Sequence, residues 1–276
     1  MKTVTGITLL LLGTVTVYGQ KEDYPAPQPM THEMTEFWTP QPKVVTPGKS
    51  NKKEFTAPPS DAIILFDGKD LSQWEKAPDK NVLVKGKDLS KFQSTEGSNA
   101  QWIVKDGVLT VNKQAGDIQT RQVFGDFQFH IEWRIPEGIK GESQLRGNSG
   151  VFLQGIYEVQ ILDSYNSVTY ANGQAGSIYK QTAPLANAMN PPGEWNTYDI
   201  IYTAPTFKSD GTYRTRPVVT VLHNGILIQN NTQISGTTPY IGLPQVVEHG
   251  KGPVRLQAHA DESAPVGFRN IWIREL

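Results

Sequence analysis

The sequence predicts an all-β protein in which two antiparallel sheets pack face to face, as a sandwich or jelly roll. Three observations lead to this prediction. Short runs of β-branched and aromatic residues recur along the chain, and the turn dipeptides Asp106-Gly107 and Asn224-Gly225 each join two such runs. No stretch keeps a helical period for more than two turns.

The first 19 residues have the pattern of a secretory signal peptide. Lys2 precedes an apolar run over 7–17, and small residues lead to a predicted cleavage after Gly19. The run is too short to span a membrane, so we do not expect an integral membrane protein. The chain has no cysteine, which excludes a lipidated cysteine anchor and disulfides. We expect a secreted protein, in the periplasm or the medium if its source is bacterial.

The charge balance argues against two classes of partner. The formal net charge is −1, and Lys and Arg cluster only in the short KSNKK segment at 49–53. Proteins that bind nucleic acid or anionic membranes usually carry a larger basic patch. We therefore expect neither partner.

Residues 20–60 form a predicted extended arm. They hold eight of the nineteen prolines of the chain, which prevents a regular helix or central strand over most of the segment. The arm also contains apolar residues such as Phe37 and Trp38. Two interpretations stay open: a tether from the cell envelope, or a strap that packs on the folded domain.

The folded domain is predicted to cover 61–276. It begins with a strand at Ile63–Phe66, followed by a polar loop over 81–100 and the hairpin around Asp106-Gly107. Further strands are predicted at 127–135, 150–154, 157–162, 195–203, 217–223, 225–229, 254–259 and 269–275, with a tight turn at Gly155.

Three of these strands carry chemically distinctive side chains on one face. In each, apolar residues alternate with acidic, basic, amide or imidazole side chains. One interpretation is an exposed sheet face with many ion pairs. The other, if the strands are neighbours, is a concave floor that hydrogen-bonds an oligosaccharide or glycoside. The polar residues are His130, Glu132 and Arg134 on one strand, Glu158 and Gln160 on another, and Arg255, Gln257 and His259 on the third.

Loop residues add three candidates for ligand binding. Asn148, in a Gly-Asn-Ser-Gly turn, either shapes the backbone or donates to a ligand oxygen. Asp163 either caps a turn or binds ligand, and Lys180 is either a surface lysine or a cation at the rim of a site.

Several standard chemistries are excluded by missing motifs. The chain has no GxSxG, HExxH or GxxxxGK[ST] sequence, and without cysteine it has no thiol nucleophile. A retaining glycosidase on such a sandwich would use two carboxylates about 5 Å apart. The position two residues after Glu158 is Gln160, so that mechanism would need Glu132 or Asp163 as its second group.

Six segments in this order closely resemble the 3-keto-disaccharide (3-keto-glucoside) hydrolase domain family, also called DUF1080: LFDGKDLSQW, FGDFQFHIEWR, GNSGVFLQGIYEVQILDS, PPGEWNTYDI, VTVLHNG and GPVRLQAH with FRNIWIREL. The resemblance covers 61–276 and implies a concanavalin-A-like jelly roll. After His259 this chain has ADESAPVG where the family has a short turn containing glycine, so we expect a reshaped loop there.

The resemblance also implies a reaction. A ketone at C3 of a sugar acidifies the proton at C2, so one base can start a β-elimination of the group at C1, and water then adds. On this basis His259 or Glu158 is predicted as the acid/base, with Glu132 near them. Hydroxyls or the enolate would be held by Arg134, Asn148, Gln160, Gln257 and Lys180.

Other functions stay open at this point. A divalent cation could polarise the ketone, although the sequence shows no definite cofactor. A carbohydrate-binding module without catalysis would use the same face, but Trp133, Trp195 and Trp272 alternate with apolar neighbours and are predicted to be core residues. A two-carboxylate glycosidase on unoxidised glycans and a structural surface domain are the remaining alternatives.

Overall fold

The computed structural model describes residues 28–48, 57–78 and 99–276. Residues 31–276 belong to one structural unit, and residues 28–30 belong to a separate N-terminal unit. The predicted signal peptide and nearly all of the polar loop at 81–100 lie outside the described residues. In the described part of the chain, no helix has the length and apolar character that a membrane span requires.

The described residues form strands and three short 3-10 turns, at His32–Thr35, Ser143–Leu145 and Ala171–Gly173. The strands in chain order are β1 (Lys43–Val44), β2 (Ile63–Phe66), β3 (Trp74–Lys76), β4 (Ile103–Lys105), β5 (Val108–Thr110), β6 (Ile118–Thr120), β7 (Phe127–Arg134), β8 (Ser149–Leu153), β9 (Tyr157–Ile161), β10 (Ala186–Asn187), β11 (Trp195–Thr203), β12 (Thr206–Phe207), β13 (Tyr213–Thr215), β14 (Val218–His223), β15 (Ile226–Gln233), β16 (Arg255–Leu256) and β17 (Gly267–Glu275).

Two antiparallel sheets dominate the described structure, which confirms the predicted all-β sandwich. The larger sheet has eight strands in the order β15–β14–β11–β7–β17–β5–β4, with β2 also paired to β17. The smaller sheet has five strands in the order β3–β6–β16–β8–β9. The pair β12–β13 and the parallel pair β1–β10 lie outside these two sheets.

The core consists of the side chains that alternate toward the inside of the sandwich. Ile131 and Trp133 of β7 are fully buried, and so are Val151 of β8 and Val159 of β9. All four belong to one hydrophobic cluster. Burying a side chain of this size stabilises the fold by about 1.5–3 kcal/mol. The residues between them on each strand therefore face outward, where their side chains can contact a ligand.

The predicted tight turns are present with the backbone angles that they require. The φ angles of Asp106 and Gly107 are 52° and 75°, and those of Asn224 and Gly225 are 52° and 78°. Two consecutive positive φ angles define the type I′ turn, whose twist matches that of the flanking strands. Gln154-Gly155 has the same geometry between β8 and β9, with φ angles of 48° and 77°.

The third polar strand is much shorter than the predicted 254–259. Only Arg255 and Leu256 have ladder partners on both sides, in β6 and β8. The amide of Ala258 donates instead to Asp117 Oδ1 at 2.8 Å, which draws the chain out of the ladder. His259 consequently lies in a loop beyond the strand.

The described part of the proline-rich arm packs on the domain as a strap. Asn172 accepts a hydrogen bond from the Phe37 amide at 2.9 Å and donates to the Thr35 carbonyl at 3.0 Å. Farther along the arm, β1 pairs with β10. Of the two interpretations of the arm, the strap describes residues 31–48.

Candidate functional site

A cleft of about 520 Å³ lies on the outer face of the five-stranded sheet. This volume is within the range of roughly 300–1,000 Å³ that is typical of small-molecule sites. Its floor comes from β8, β9 and the chain at the end of β16, and one wall comes from the loop over 237–247, called the 237–247 wall below. Five of the residues predicted for the site line this cleft: Asn148, Glu158, Gln160, Gln257 and His259.

The strand register explains why these side chains meet. Residues directly opposite each other in an antiparallel ladder project from the same face. The pairs between neighbouring strands therefore put one side chain from each strand into a row across the sheet: Glu75, Gln119, Arg255, Phe152 and Glu158. The strands of Glu158 and Arg255 are separated only by β8, so two of the three predicted polar strands do share one floor.

The Glu158 carboxylate lies over Gly150. A Cβ at position 150 would overlap Glu158 Oε1, so the absence of a side chain there makes the space for the carboxylate. Gln160 donates to Gln144 Oε1 at 2.9 Å; with its amide turned, it donates to Glu158 Oε1 at 3.2 Å. Gly150 and the Gln160 amide are thus two of the groups next to the Glu158 carboxylate.

Three buried polar atoms of the cleft residues have no hydrogen-bond partner among the described residues: Arg255 Nη1, Gln257 Oε1 and Asn148 Oδ1. The rest of the Arg255 guanidinium is fixed, because Nε and Nη2 both lie 2.8 Å from Asp117 Oδ2. Buried polar groups in native proteins are nearly always hydrogen-bonded. One donor and two acceptors on residues that line the cleft therefore lack a protein partner in the described part of the chain, as atoms that bind ordered water or a polar ligand do.

His259 forms a dyad with a buried carboxylate that the sequence analysis did not identify. Its Nδ1 lies 2.8 Å from Asp261 Oδ2. Burial alone would raise the pKa of Asp261, but hydrogen bonds from His259, Ser263 and Lys113 hold that pKa well below its usual range. Because Asp261 is ionised, Nδ1 carries the proton, and Nε2 is the nitrogen that can accept another. The spacing His-x-Asp in the reshaped loop was the only sequence signal for this pair.

Glu132 and Arg134 lie outside the cleft, on the other sheet. Both are on β7, and Glu132 accepts hydrogen bonds from Arg269 at 2.6 Å and Asn270 at 2.9 Å. The Arg134 guanidinium lies 4.6 Å from the ring centre of Trp195, and that of Arg269 lies 4.2 Å from it. Trp195 is partly buried on an outer face of the sheet, and the prediction that it is a core residue was wrong.

Asp163 and Lys180 also lie outside the cleft, and both form hydrogen bonds with other parts of the protein. Asp163 accepts a hydrogen bond from Arg146 at 2.6 Å. Lys180 donates to the His32 carbonyl at 2.8 Å and to the Tyr240 carbonyl at 2.9 Å, so it connects the arm to the 237–247 wall. The rim cation that the sequence suggested is a buried bridge between two segments.

The hydrogen bonds of His130 on β7 with Asp199 and Glu132 predict a pH dependence of stability that can be tested. His130 Nδ1 lies 2.6 Å from Asp199 Oδ1. Burial lowers the pKa of His130, but hydrogen bonds to Asp199 and Glu132 outweigh it and raise this pKa from 6.5 to about 9. The stabilisation is fully present below pH 6.5 and is lost as the pH rises through about 9. We expect the free energy of unfolding to fall by about 1–3 kcal/mol between these limits. The lower end of this range allows for solvent screening, because Asp199 is partly exposed.

Urea unfolding of the wild type and of Asp199→Asn at pH 6.5 and pH 9.5 measures this contribution. The variant should lose less stability than the wild type over the same interval. Parallel losses in the two proteins would contradict the assignment.

No group of three or more His, Cys, Asp and Glu side chains that could hold a metal ion occurs among the described residues.

Comparison with known proteins identifies the family of the chain. The family described as "3-keto-alpha-glucoside-1,2-lyase-like domain" matches residues 61–274. A crystal structure from Parabacteroides distasonis ATCC 8503, described as a candidate glycosyl hydrolase, is 62% identical, covers 89% of this chain and 97% of that chain, and has a TM-score of 0.73. A second candidate glycosyl hydrolase from the same organism is 20% identical, covers 78% and 94%, and shares the fold with a TM-score of 0.51. No curated protein matches the chain.

Proposed function

This chain belongs to the 3-keto-alpha-glucoside-1,2-lyase-like family, and from that premise we propose that its cleft cleaves the glycosidic bond of 3-keto-glycosides. The family and the 62% identical relative support a glycoside-active enzyme. The 3-keto substrate and the mechanism below are our proposal. The observation that carries it is the His259–Asp261 dyad at a cleft floor with one suitably placed donor and two acceptors.

The proposed reaction is an elimination followed by hydration. A base removes the proton at C2, which the neighbouring C3 ketone makes acidic, and the electron pair passes into an enolate. The enolate re-forms the ketone as the C1–O bond breaks, and the leaving oxygen takes a proton. Water then adds its oxygen to C1 and a proton to C2, so the net result is hydrolysis.

His259 is the proposed base at C2. Asp261 holds the imidazole through Nδ1 and stabilises the imidazolium that forms when Nε2 accepts the proton. Side-chain general bases contribute about 10²–10⁴-fold to a rate. Asp261 acts through His259 and is a positioning residue.

The buried polar atoms without a protein partner among the described residues suit two further requirements of the reaction, a donor to the enolate and acceptors for sugar hydroxyls. Arg255 Nη1 is the proposed donor to the enolate oxygen at C3, and one such donor is worth about 3 kcal/mol in the transition state. Gln257 Oε1 and Asn148 Oδ1 would accept hydrogen bonds from sugar hydroxyls. Arg255 is a residue that the sequence analysis placed on the right face without assigning it a role.

Glu158 is the proposed acid that protonates the leaving oxygen. Glu158 is on β9, His259 is in the loop that follows β16, and both line the cleft in which the sugar ring would bind. In an α-glucoside the C2 hydrogen and the C1–O bond lie on opposite faces of the ring. The proposed reaction therefore needs the base and the acid to approach the ring from opposite faces.

Gly150→Ala should displace the Glu158 carboxylate while leaving the stability of the fold nearly unchanged. The three atoms nearest to the added methyl all belong to the Glu158 side chain, which can move, so we expect a stability loss below about 1 kcal/mol. Displacement of the carboxylate by about 1 Å should lower kcat by about 10²-fold. The control is Gly125→Ala, whose Cβ would meet only Lys251 at 3.7 Å, an ordinary contact. Wild-type kcat in Gly150→Ala would contradict the role of Glu158.

Incubation of the purified protein with matched pairs of 3-keto and unoxidised disaccharides, followed by product analysis, tests the proposed function. Cleavage of the 3-keto member alone is expected. Cleavage of unoxidised disaccharides would instead favour a two-carboxylate glycosidase, although Glu132 and Asp163, its candidate second groups, lie outside the cleft. Binding of 3-keto-sugars without turnover would favour a carbohydrate-binding module.

We also propose that the enzyme is exported after removal of residues 1–19. N-terminal sequencing of the protein recovered from the periplasm or medium should then start at Gln20.

A further inference from the structure

The 237–247 wall adds large apolar side chains to the cleft, beside its polar residues Thr237, Thr238 and Gln245. Tyr240, Ile241 and Leu243 all line the cleft and are 58%, 52% and 62% exposed. Phe152 and Ile156 continue the apolar lining. A contiguous exposed apolar surface at the edge of a site usually marks an interaction surface.

The wall is fixed in place by contacts of Tyr240 with His32 and Lys180. The ring of His32 stacks on Tyr240 with a centroid distance of 5.0 Å and an interplanar angle of 17°. Lys180 donates to the Tyr240 carbonyl and lies 4.8 Å from the centre of its ring. A preformed wall costs less ordering entropy when a ligand binds, so these contacts favour a binding role.

Floor and wall make different demands on a ligand. The floor offers the donor Arg255 Nη1 and the acceptors on Gln257 and Asn148, which suit the hydroxyls and ketone of a sugar. A second sugar placed against Ile241 and Leu243 would bring hydroxyls to two aliphatic side chains, which offer no hydrogen bonds. Burying a hydroxyl without a partner costs about 1–3 kcal/mol.

We propose that the 237–247 wall binds the leaving group, and that the preferred substrates are 3-keto-glucosides with an apolar, aromatic aglycone rather than a second sugar. This inference rests on the proposed function of the cleft. An aromatic ring would lie along Tyr240 and Leu243 while the keto-sugar occupies the polar floor. Tyr240 and Leu243 are then specificity-determining residues for the aglycone.

The test compares Leu243→Ser with wild type on the 3-keto derivatives of phenyl α-glucoside, methyl α-glucoside and trehalose. Phenol leaves more readily than a sugar for chemical reasons alone, so the decisive quantity is the variant-to-wild-type ratio of kcat/KM for each substrate. We expect about a tenfold loss for the phenyl substrate, and less than about twofold for the other two.

Leu185→Ser is the matched control, because Leu185 is also 62% exposed but does not line the cleft. It should leave all three ratios near one. Tyr240→Ala provides a second variant and should again reduce kcat/KM most for the phenyl substrate.

Two outcomes would overturn the inference while the proposed function stands: an equal loss for all three substrates, or no loss for any of them in both variants. In the first case the wall would only support the site. In the second it would contact something other than the aglycone. If the wild type cleaves none of the three 3-keto substrates, the proposed function itself fails, and the inference fails with it.

Discussion

His259→Ala should lower kcat/KM for a 3-keto-glucoside by about 10²–10⁴-fold, because it removes the nitrogen proposed to accept the C2 proton. Asp261→Asn should cause a smaller loss, since the ring remains but loses the carboxylate that orients it and stabilises its charged form. Both variants should bind the substrate nearly as well as the wild type, so the change should appear in kcat rather than in KM.

The measurement is steady-state kinetics with thermal unfolding as the check on folding. His259 is partly exposed in a loop, so its replacement should shift Tm little. Added imidazole should partly restore the activity of His259→Ala if the missing function is proton transfer. Activity of His259→Ala within about threefold of wild type would remove this residue from the mechanism.

Glu158→Gln should lower kcat by about 10²–10⁴-fold for substrates with a sugar or alkyl leaving group, because Gln cannot protonate the leaving oxygen. The amide has nearly the shape of the carboxylic acid and still fits over Gly150. The loss should shrink as the leaving group becomes more acidic, since a phenolate needs little help from an acid. A loss of the same size for every leaving group would show that Glu158 has another role.

Glu75→Gln is the control for this prediction. Glu75 lies in the same row across the sheet but does not line the cleft. It is held by Gln119 at 2.9 Å and by Arg121 at 3.5 Å. The same chemical change at this position should therefore alter kcat by less than about threefold.

The parts of the fold that could be predicted from the sequence are those determined by neighbouring residues. Period-two alternation identified β7 and β9, and two-residue turn signals identified the hairpins at Gly107 and Gly225. The three-residue strands β3 and β6 carry too short a pattern to be recognised. Strand alternation also identified the residues that line the floor on β9 and β16.

Which residues line the cleft could not be predicted from the sequence, because this depends on contacts between segments that are far apart in the chain. Glu132 and Glu158 both alternate with buried apolar residues, and only the strand order puts them on different sheets. Lys180 bonds to His32, 148 positions away in the chain, and so supports the wall instead of contacting the ligand. Asp261 was missed because its importance comes from the loop that brings its carboxylate to His259.

Loss of the label from a substrate deuterated at C2 tests the central claim most directly. The proposed elimination requires that the C2–D bond breaks before the glycosidic bond does. His259 is partly exposed, with 32% of its side chain accessible, so a deuteron taken up there exchanges with water. Product should be analysed by mass spectrometry after a single turnover, beside free C2-deuterated 3-keto-glucose that measures exchange after release. The product should carry hydrogen at C2, whereas full retention of deuterium would contradict the proposed elimination.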